Sequence, residues 1–181
     1  MRTFVAVEVS SKEALQNMLE FQKELLQTGL KVKPVEANQL HFTLMFLGET
    51  NDVMLESVKS KLSDITFEPI QVTYTGVGVF PNPKFVRVIW IGVDDDAASK
   101  LINLAKEVES RLSTLGFRSD KPFKPHITLF RVKEKVRNFD AVMNFKDRKF
   151  GTDTLNAVKV KKSDLTPSGP IYSDLFAVGS K

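Results

Sequence analysis

The chain has 181 residues, a net charge of +4, two histidines and no cysteine. That length suits one domain with a real core, and 42% hydrophobic with 27% charged residues is an ordinary globular composition. The lack of cysteine excludes disulfides, thiolate metal sites and cysteine nucleophiles, and two histidines leave little for an all-histidine metal centre. No apolar run approaches the roughly 18 residues that span a bilayer. The N-terminus enters an alternating strand pattern at once, with Glu8 inside it, so a cytoplasmic protein without a secretory leader is expected. The positive charge is compatible with RNA or DNA and does not by itself require either.

Residues 3–9 alternate and are rich in β-branched side chains, which predicts a strand. Ser10 with Glu13 three residues on forms a capping box for a helix over 11–28, stopped by Gly29. A strand is expected at 40–47 and a helix at 52–65, with Met54, Val58, Leu62 and Ile65 on one face. Residues 70–80 and 85–93 read as paired strands joined by Pro81-Asn82-Pro83-Lys84. A helix over 96–115 ends at Gly116, with Asp94, Asp95 and Asp96 as its acidic start. Strands follow at 126–132, 155–163 and 171–178, and Trp90 is assigned to the core. The recurring order of strand, helix and strands predicts an α+β fold. Its two pseudo-symmetric lobes would each carry an antiparallel sheet facing a central cleft, with helices outside. The whole span, 1–181, is expected to be one domain of two intertwined pseudo-repeats.

A local repeat carries the chemistry. His41-Phe42-Thr43-Leu44 and His126-Ile127-Thr128-Leu129 share the pattern His-x-Thr-Leu and use both histidines of the chain. In a strand, residues i and i+2 share a face, so His41 projects with Thr43 and His126 with Thr128. Two such strands related by a pseudo-two-fold bring two imidazoles to one groove. One imidazole can take a proton from an attacking oxygen while the other protonates a departing one, which is what in-line displacement at phosphorus requires. An ordinary imidazole pKa near 6.5 suits that exchange, and the threonine hydroxyls can donate to phosphoryl oxygens where charge gathers. No metal or other cofactor enters this reading. A two-histidine metal site is the weaker alternative, since no carboxylate stands at a ligand-like spacing.

These tetrapeptides resemble the duplicated HxTx motifs of the 2H phosphoesterase superfamily, and most closely its RNA 2′,3′-cyclic phosphodiesterases, the 2′-5′ RNA ligase-like proteins. The flanks agree: Asn38-Gln39-Leu40 and Phe46-Leu47-Gly48-Glu49 around the first motif, and Phe123-Lys124-Pro125 and Arg131 around the second. Gly76-Val77-Gly78-Val79-Phe80-Pro81-Asn82-Pro83, Ser163-Asp164-Leu165 and Gly169-Pro170-Ile171-Tyr172 match further family segments, so the likeness covers the whole chain. The resemblance implies metal-independent hydrolysis of a terminal ribose 2′,3′-cyclic phosphate to a 2′-phosphate, with the reverse reaction forming a 2′-5′ linkage. It implies His41 as proton donor to the 3′-oxygen and His126 as the proton acceptor that activates water.

Arg131 is expected to contact phosphate or the substrate strand. It stands five residues after His126, on the opposite side of an undistorted strand, so this role needs a bulge or a strand end. Lys121, Lys124, Arg131, Lys133, Lys135 and Arg137 surround the second motif with positive charge that would steer RNA. Phe80, Phe123 and Tyr172 are the candidates to stack on a base. The expected partner is RNA ending in a 2′,3′-cyclic phosphate, tRNA fragments among them, bound by a monomer with no membrane and no obligatory protein partner. Two rivals remain at this level. One is a relative acting on 2′-5′ oligonucleotides or small cyclic nucleotides, and the other is a non-enzymatic single-stranded RNA-binding module.

Overall fold

A computed structural model describes residues 1–136 and 139–181; Arg137, one of the basic run, lies outside the described residues. In chain order the elements are β1 (Arg2–Glu8), α1 (Lys12–Gln27), β2 (Lys33–Pro34), a 3₁₀ turn (Ala37–Gln39), β3 (His41–Glu49) and α2 (Asp52–Leu62). Then come β4 (Ile70–Asn82), β5 (Phe85–Val93), α3 (Asp95–Ser113), β6 (Ile127–Arg131), α4 (Phe139–Met143), β7 (Lys149–Leu155), β8 (Ala157–Thr166) and β9 (Gly169–Gly179). The strands form two antiparallel sheets, ordered β3-β1-β8-β9 and β2-β6-β5-β4-β7.

The two sheets do not correspond to the two halves of the sequence. The first takes β1 and β3 from one end of the chain and β8 and β9 from the other, whereas β4 and β5 join the second. The helices stitch the sheets together. Helix α1 leaves β1 of the first sheet yet packs on β6 and β7 of the second, and α3 packs on β3 and β4, one strand from each. Val5, Val7, Phe42, Tyr74, Ile89, Ile127 and Phe130 belong to one continuous core that spans both. Each such buried side chain contributes about 1.5–3 kcal/mol by leaving water.

Three local expectations need correction. Ser11, not Ser10, caps α1: its side chain accepts from the Ala14 N–H. Helix α2 ends at Leu62, three residues short of the expected end, although Ile65 is still buried. The strand expected at 155–163 divides into β7, ending at Leu155, and β8, beginning at Ala157. β7 has no clear strand signature because its segment, Lys-Phe-Gly-Thr-Asp-Thr-Leu, buries an aspartate and bends at Gly151, whose φ of 111° only glycine adopts freely.

Ser10 and that aspartate form a buried junction instead. Asp153 accepts from the Ser10 N–H and hydroxyl and from the Tyr74 hydroxyl, at 2.9, 2.6 and 2.6 Å. Burial first, and then the Asp153 carboxylate, push the Tyr74 phenol far above its usual range, so it stays a donor. The junction pins the end of β1 to β4 and β7 across the sheets. Charge-assisted bonds of this kind contribute about 1.5–3 kcal/mol each. Asp153→Ala is therefore expected to lower unfolding free energy in urea by about 3 kcal/mol, against about 1 kcal/mol for Ser11→Ala. Equal losses would show that the junction contributes no more than a helix cap.

Candidate active site

Both motif strands carry the same irregularity. In β3, Val5 pairs with Met45 and Ala6 with Thr43, which leaves Leu44 as an extra residue. In β6, Ile89 pairs with Phe130 and Trp90 with Thr128, which leaves Leu129 extra. Each is a β-bulge, and each puts two consecutive residues into the core: Leu44 and Met45, then Leu129 and Phe130. The alternation resumes in the opposite phase. Arg131 therefore emerges on the face of His126 and Thr128, by the bulge that a substrate contact requires of it. At the equivalent place in β3 stands Phe46, 75% exposed. The motif strands approach one another, and the Arg131 guanidinium is close enough to act electrostatically on His41 of the other motif.

Each imidazole is held by aromatic rings and by a backbone bond two residues upstream. His41 stacks on Phe4 at 5.2 Å and meets the edge of Tyr172 at 5.5 Å; its ring bonds the Gln39 backbone, while Nε2 lies 3.0 Å from Thr43 Oγ1. His126 meets Phe80 at 4.9 Å and Trp90 at 6.3 Å, and its Nδ1 donates to the Lys124 carbonyl. That bond places a proton on Nδ1 and leaves Nε2 as the basic nitrogen. Aromatic pairs contribute about 0.5–1.5 kcal/mol beyond area burial, enough to hold a ring in one orientation.

The sequence candidates separate here. Phe80 and Tyr172 stand against the imidazoles, and Phe123, also half-buried, packs against the core. Lys124 reaches over the Phe80 ring. Trp90 corrects the core assignment: it is half-buried beneath His126, and its indole N–H is enclosed without a hydrogen-bond partner among the described residues. Gly78 makes room for it, since a Cβ there would come within 2.2 Å of the indole. Sequence reasoning also missed Phe4 and the group beside it. Lys159 and Lys161 each pair with both Glu8 and Asp174, an alternating quartet next to His41, which faces Glu8 across the β1–β3 pair. The only available signal was the alternation of charge with valine in β8.

The electrostatics favour neutral rings in the free protein. Burial chiefly, and then the Lys161 charge, push His41 down to about 4, with Glu8 and the Gln39 bond opposing and Arg131 adding to the fall. Burial also lowers His126, against the Lys124 bond. Burial works to raise Glu8, but the hydrogen bonds and charges of both lysines hold it below its usual range. An anion between the rings reverses the balance, because it stabilises an imidazolium directly.

Two sheets with an imidazole-and-threonine pair on each form a duplicated arrangement that suits acid–base chemistry at phosphorus. The family model described as the AKAP7 2′5′ RNA ligase-like domain matches residues 2–173, and the chain belongs to that family. A protein of Archaeoglobus fulgidus named RNA 2′,3′-cyclic phosphodiesterase is 44% identical over 179 residues, covering 97% of this chain and 98% of that protein. A relative of the same name from Methanocaldococcus jannaschii is 35% identical, covering 95% and 96%. Among solved structures, TT0787 of Thermus thermophilus superposes with a TM-score of 0.83 at 28% identity, covering 99% of this chain and 97% of that one. E. coli LigT in its apo form shares the fold, with a TM-score of 0.80 at 22% identity and coverage of 99% and 96%.

The depressed histidine has two measurable consequences. The His41 ring is expected to titrate near 4 by NMR in the free protein, and to move upward on saturation with a 2′-nucleotide. A midpoint near 6.5 without ligand would contradict the burial argument. Because the unfolded chain binds that proton near 6.5, folding stability falls as pH drops from about 6.5 toward 4 and gains nothing from this group above 6.5.

Proposed function

We propose that the chain hydrolyses RNA 2′,3′-cyclic phosphate termini to 2′-phosphates by acid–base catalysis between His41 and His126. The observation that carries this reading is the convergence of two His-x-Thr strands whose matched bulges bring Arg131 of one toward the histidine of the other. The name shared by the archaeal relatives supports the substrate.

The cyclic phosphate sits between the rings. His126 Nε2 accepts a proton from water as its oxygen bonds to phosphorus. The bond from phosphorus to the 3′-oxygen breaks, and His41, protonated when the anion enters, delivers its proton to that oxygen. The products are a 2′-phosphate and a free 3′-hydroxyl. Thr43, Thr128 and Arg131 stabilise charge on the non-bridging oxygens, worth several kcal/mol for a well-placed donor set. Phe80 and Tyr172 flank the bound nucleotide. Phe123, half-buried, is the third stacking candidate. The same steps, with a 5′-hydroxyl in place of water, give a 2′-5′ linkage.

The proposed unit is the full span 1–181, acting as a monomer in the cytoplasm on RNA ends that include tRNA fragments. Among the described residues no helix is long and apolar enough to cross a membrane.

His41→Ala and His126→Ala are each expected to lower kcat by about a hundred- to ten-thousandfold while circular dichroism stays native. EDTA should leave turnover unchanged. A variant retaining more than a tenth of wild-type turnover, or release of a 3′-phosphate, would overturn the assignment.

A further inference from the structure

A second concave feature opens beside the catalytic groove. It is a cavity of about 460 Å³ walled by Lys31, Lys33, Arg131 and Lys133, with Glu134 as the one acid among its lining residues. Strand pairing explains the cluster: β2 is an edge strand, and Lys33 stands directly opposite Arg131. Directly opposed residues share a face, so the lysine joins the arginine that the bulge turned toward the groove. Lys33 also reaches the other sheet. Its Nζ is near Gly169 of the β8–β9 hairpin, where a Cβ would stand 3.7 Å from it. Three residues along that hairpin, Tyr172 packs on His41. The cavity thus lies on the His41 side of the groove and shares Arg131 with it.

None of the four cations forms an ion pair with a carboxylate among the described residues, so their charges are not cancelled by a bridge. Four positive charges against Glu134 leave the cavity at +3. A concave, positively charged wall focuses potential and favours a phosphate over an apolar ligand.

The direction of the reaction says which phosphate. In an in-line displacement the nucleophile and the departing oxygen lie on opposite sides of phosphorus. Water enters beside His126, so the 3′-oxygen departs beside His41. That oxygen stays on the terminal ribose, and the rest of the RNA is attached to the same sugar. The chain must therefore leave the site on the His41 side, where the cavity lies. We propose that this cavity is the subsite for the phosphodiester immediately 5′ to the cyclic-phosphate nucleotide. Lys33 and Lys133 grip that phosphate, so the site distinguishes an RNA chain from a free cyclic nucleotide. The inference rests on the catalytic reading above and on its placement of His41 beside the departing oxygen.

The test compares a nucleoside 2′,3′-cyclic monophosphate, which has no upstream phosphate, with a short oligoribonucleotide ending in the same group. Both are assayed with the wild type and with Lys33→Gln/Lys133→Gln. Both lysines are exposed, and thermal unfolding checks that the fold is unchanged. The double variant is expected to keep kcat/KM for the mononucleotide within about twofold and to lose at least tenfold on the oligonucleotide, mostly through KM. The slope of log kcat/KM against log salt for the oligonucleotide should become shallower by about 0.7, the contribution of one phosphate of a single strand. Parallel losses on both substrates, or no loss on the oligonucleotide, would overturn the subsite while leaving the catalytic reading intact. A wild type that hydrolyses neither substrate would sink both.

Discussion

In each motif strand the leucine three residues after the histidine, without a pairing partner, sets the composition of the cleft. Leu44 in β3 and Leu129 in β6 sit in matched bulges, and each sends itself and the next residue into the core. A regular strand would hide Arg131 and Phe46 from the imidazoles, because period-two alternation places residues five apart on opposite faces. The bulge restores them. Lys33 faces the same groove only because its strand pairs with Arg131 after that phase change. The aromatic walls, the cations of the groove and the cavity beside them all depend on where those two ladders slip.

The site then solves a problem of charge. Two imidazoles enclosed by Phe4, Tyr172, Phe80 and Trp90 lose hydration and resist protonation. Such rings hold no extra proton to donate until an anion arrives. In the proposed reaction a phosphate diester supplies the missing negative charge, so substrate entry itself would ready His41 to donate. The Glu8–Lys159–Asp174–Lys161 quartet stands alongside with its charges alternating, keeping Lys161 almost fully buried yet paired. A pair of this kind adds little net stability, and its removal by halves is costly. Its proximity to His41 makes it part of the electrostatic setting of the reaction.

Much of this was legible in the chain. The His-x-Thr-Leu repeat identified the candidate pair because strand periodicity needs only local spacing to put His and Thr on one face. The α1 and α3 faces were equally readable from their buried stripes. β7 was not, since Asp153 is buried there only because Tyr74 and Ser10 come from distant strands to satisfy it. Trp90 was misplaced for a related reason: apolar neighbours made it look like core, and only the packing of Gly78 beneath it shows the indole lying under His126. Phe4 and Lys161 gave no signal, because β1 and β8 meet across some 150 residues of chain.

By itself the sequence determined the fold class, the two candidate histidines with their threonines, and a chemistry without thiols. These follow from composition and from patterns of two to four residues. Only the tertiary structure decided that the two sheets draw strands from both ends of the chain, and that Arg131 joins the groove. It also decided that four cations without ion pairs among the described residues gather beside the site. Those outcomes depend on register between strands far apart in sequence, which a local pattern does not encode.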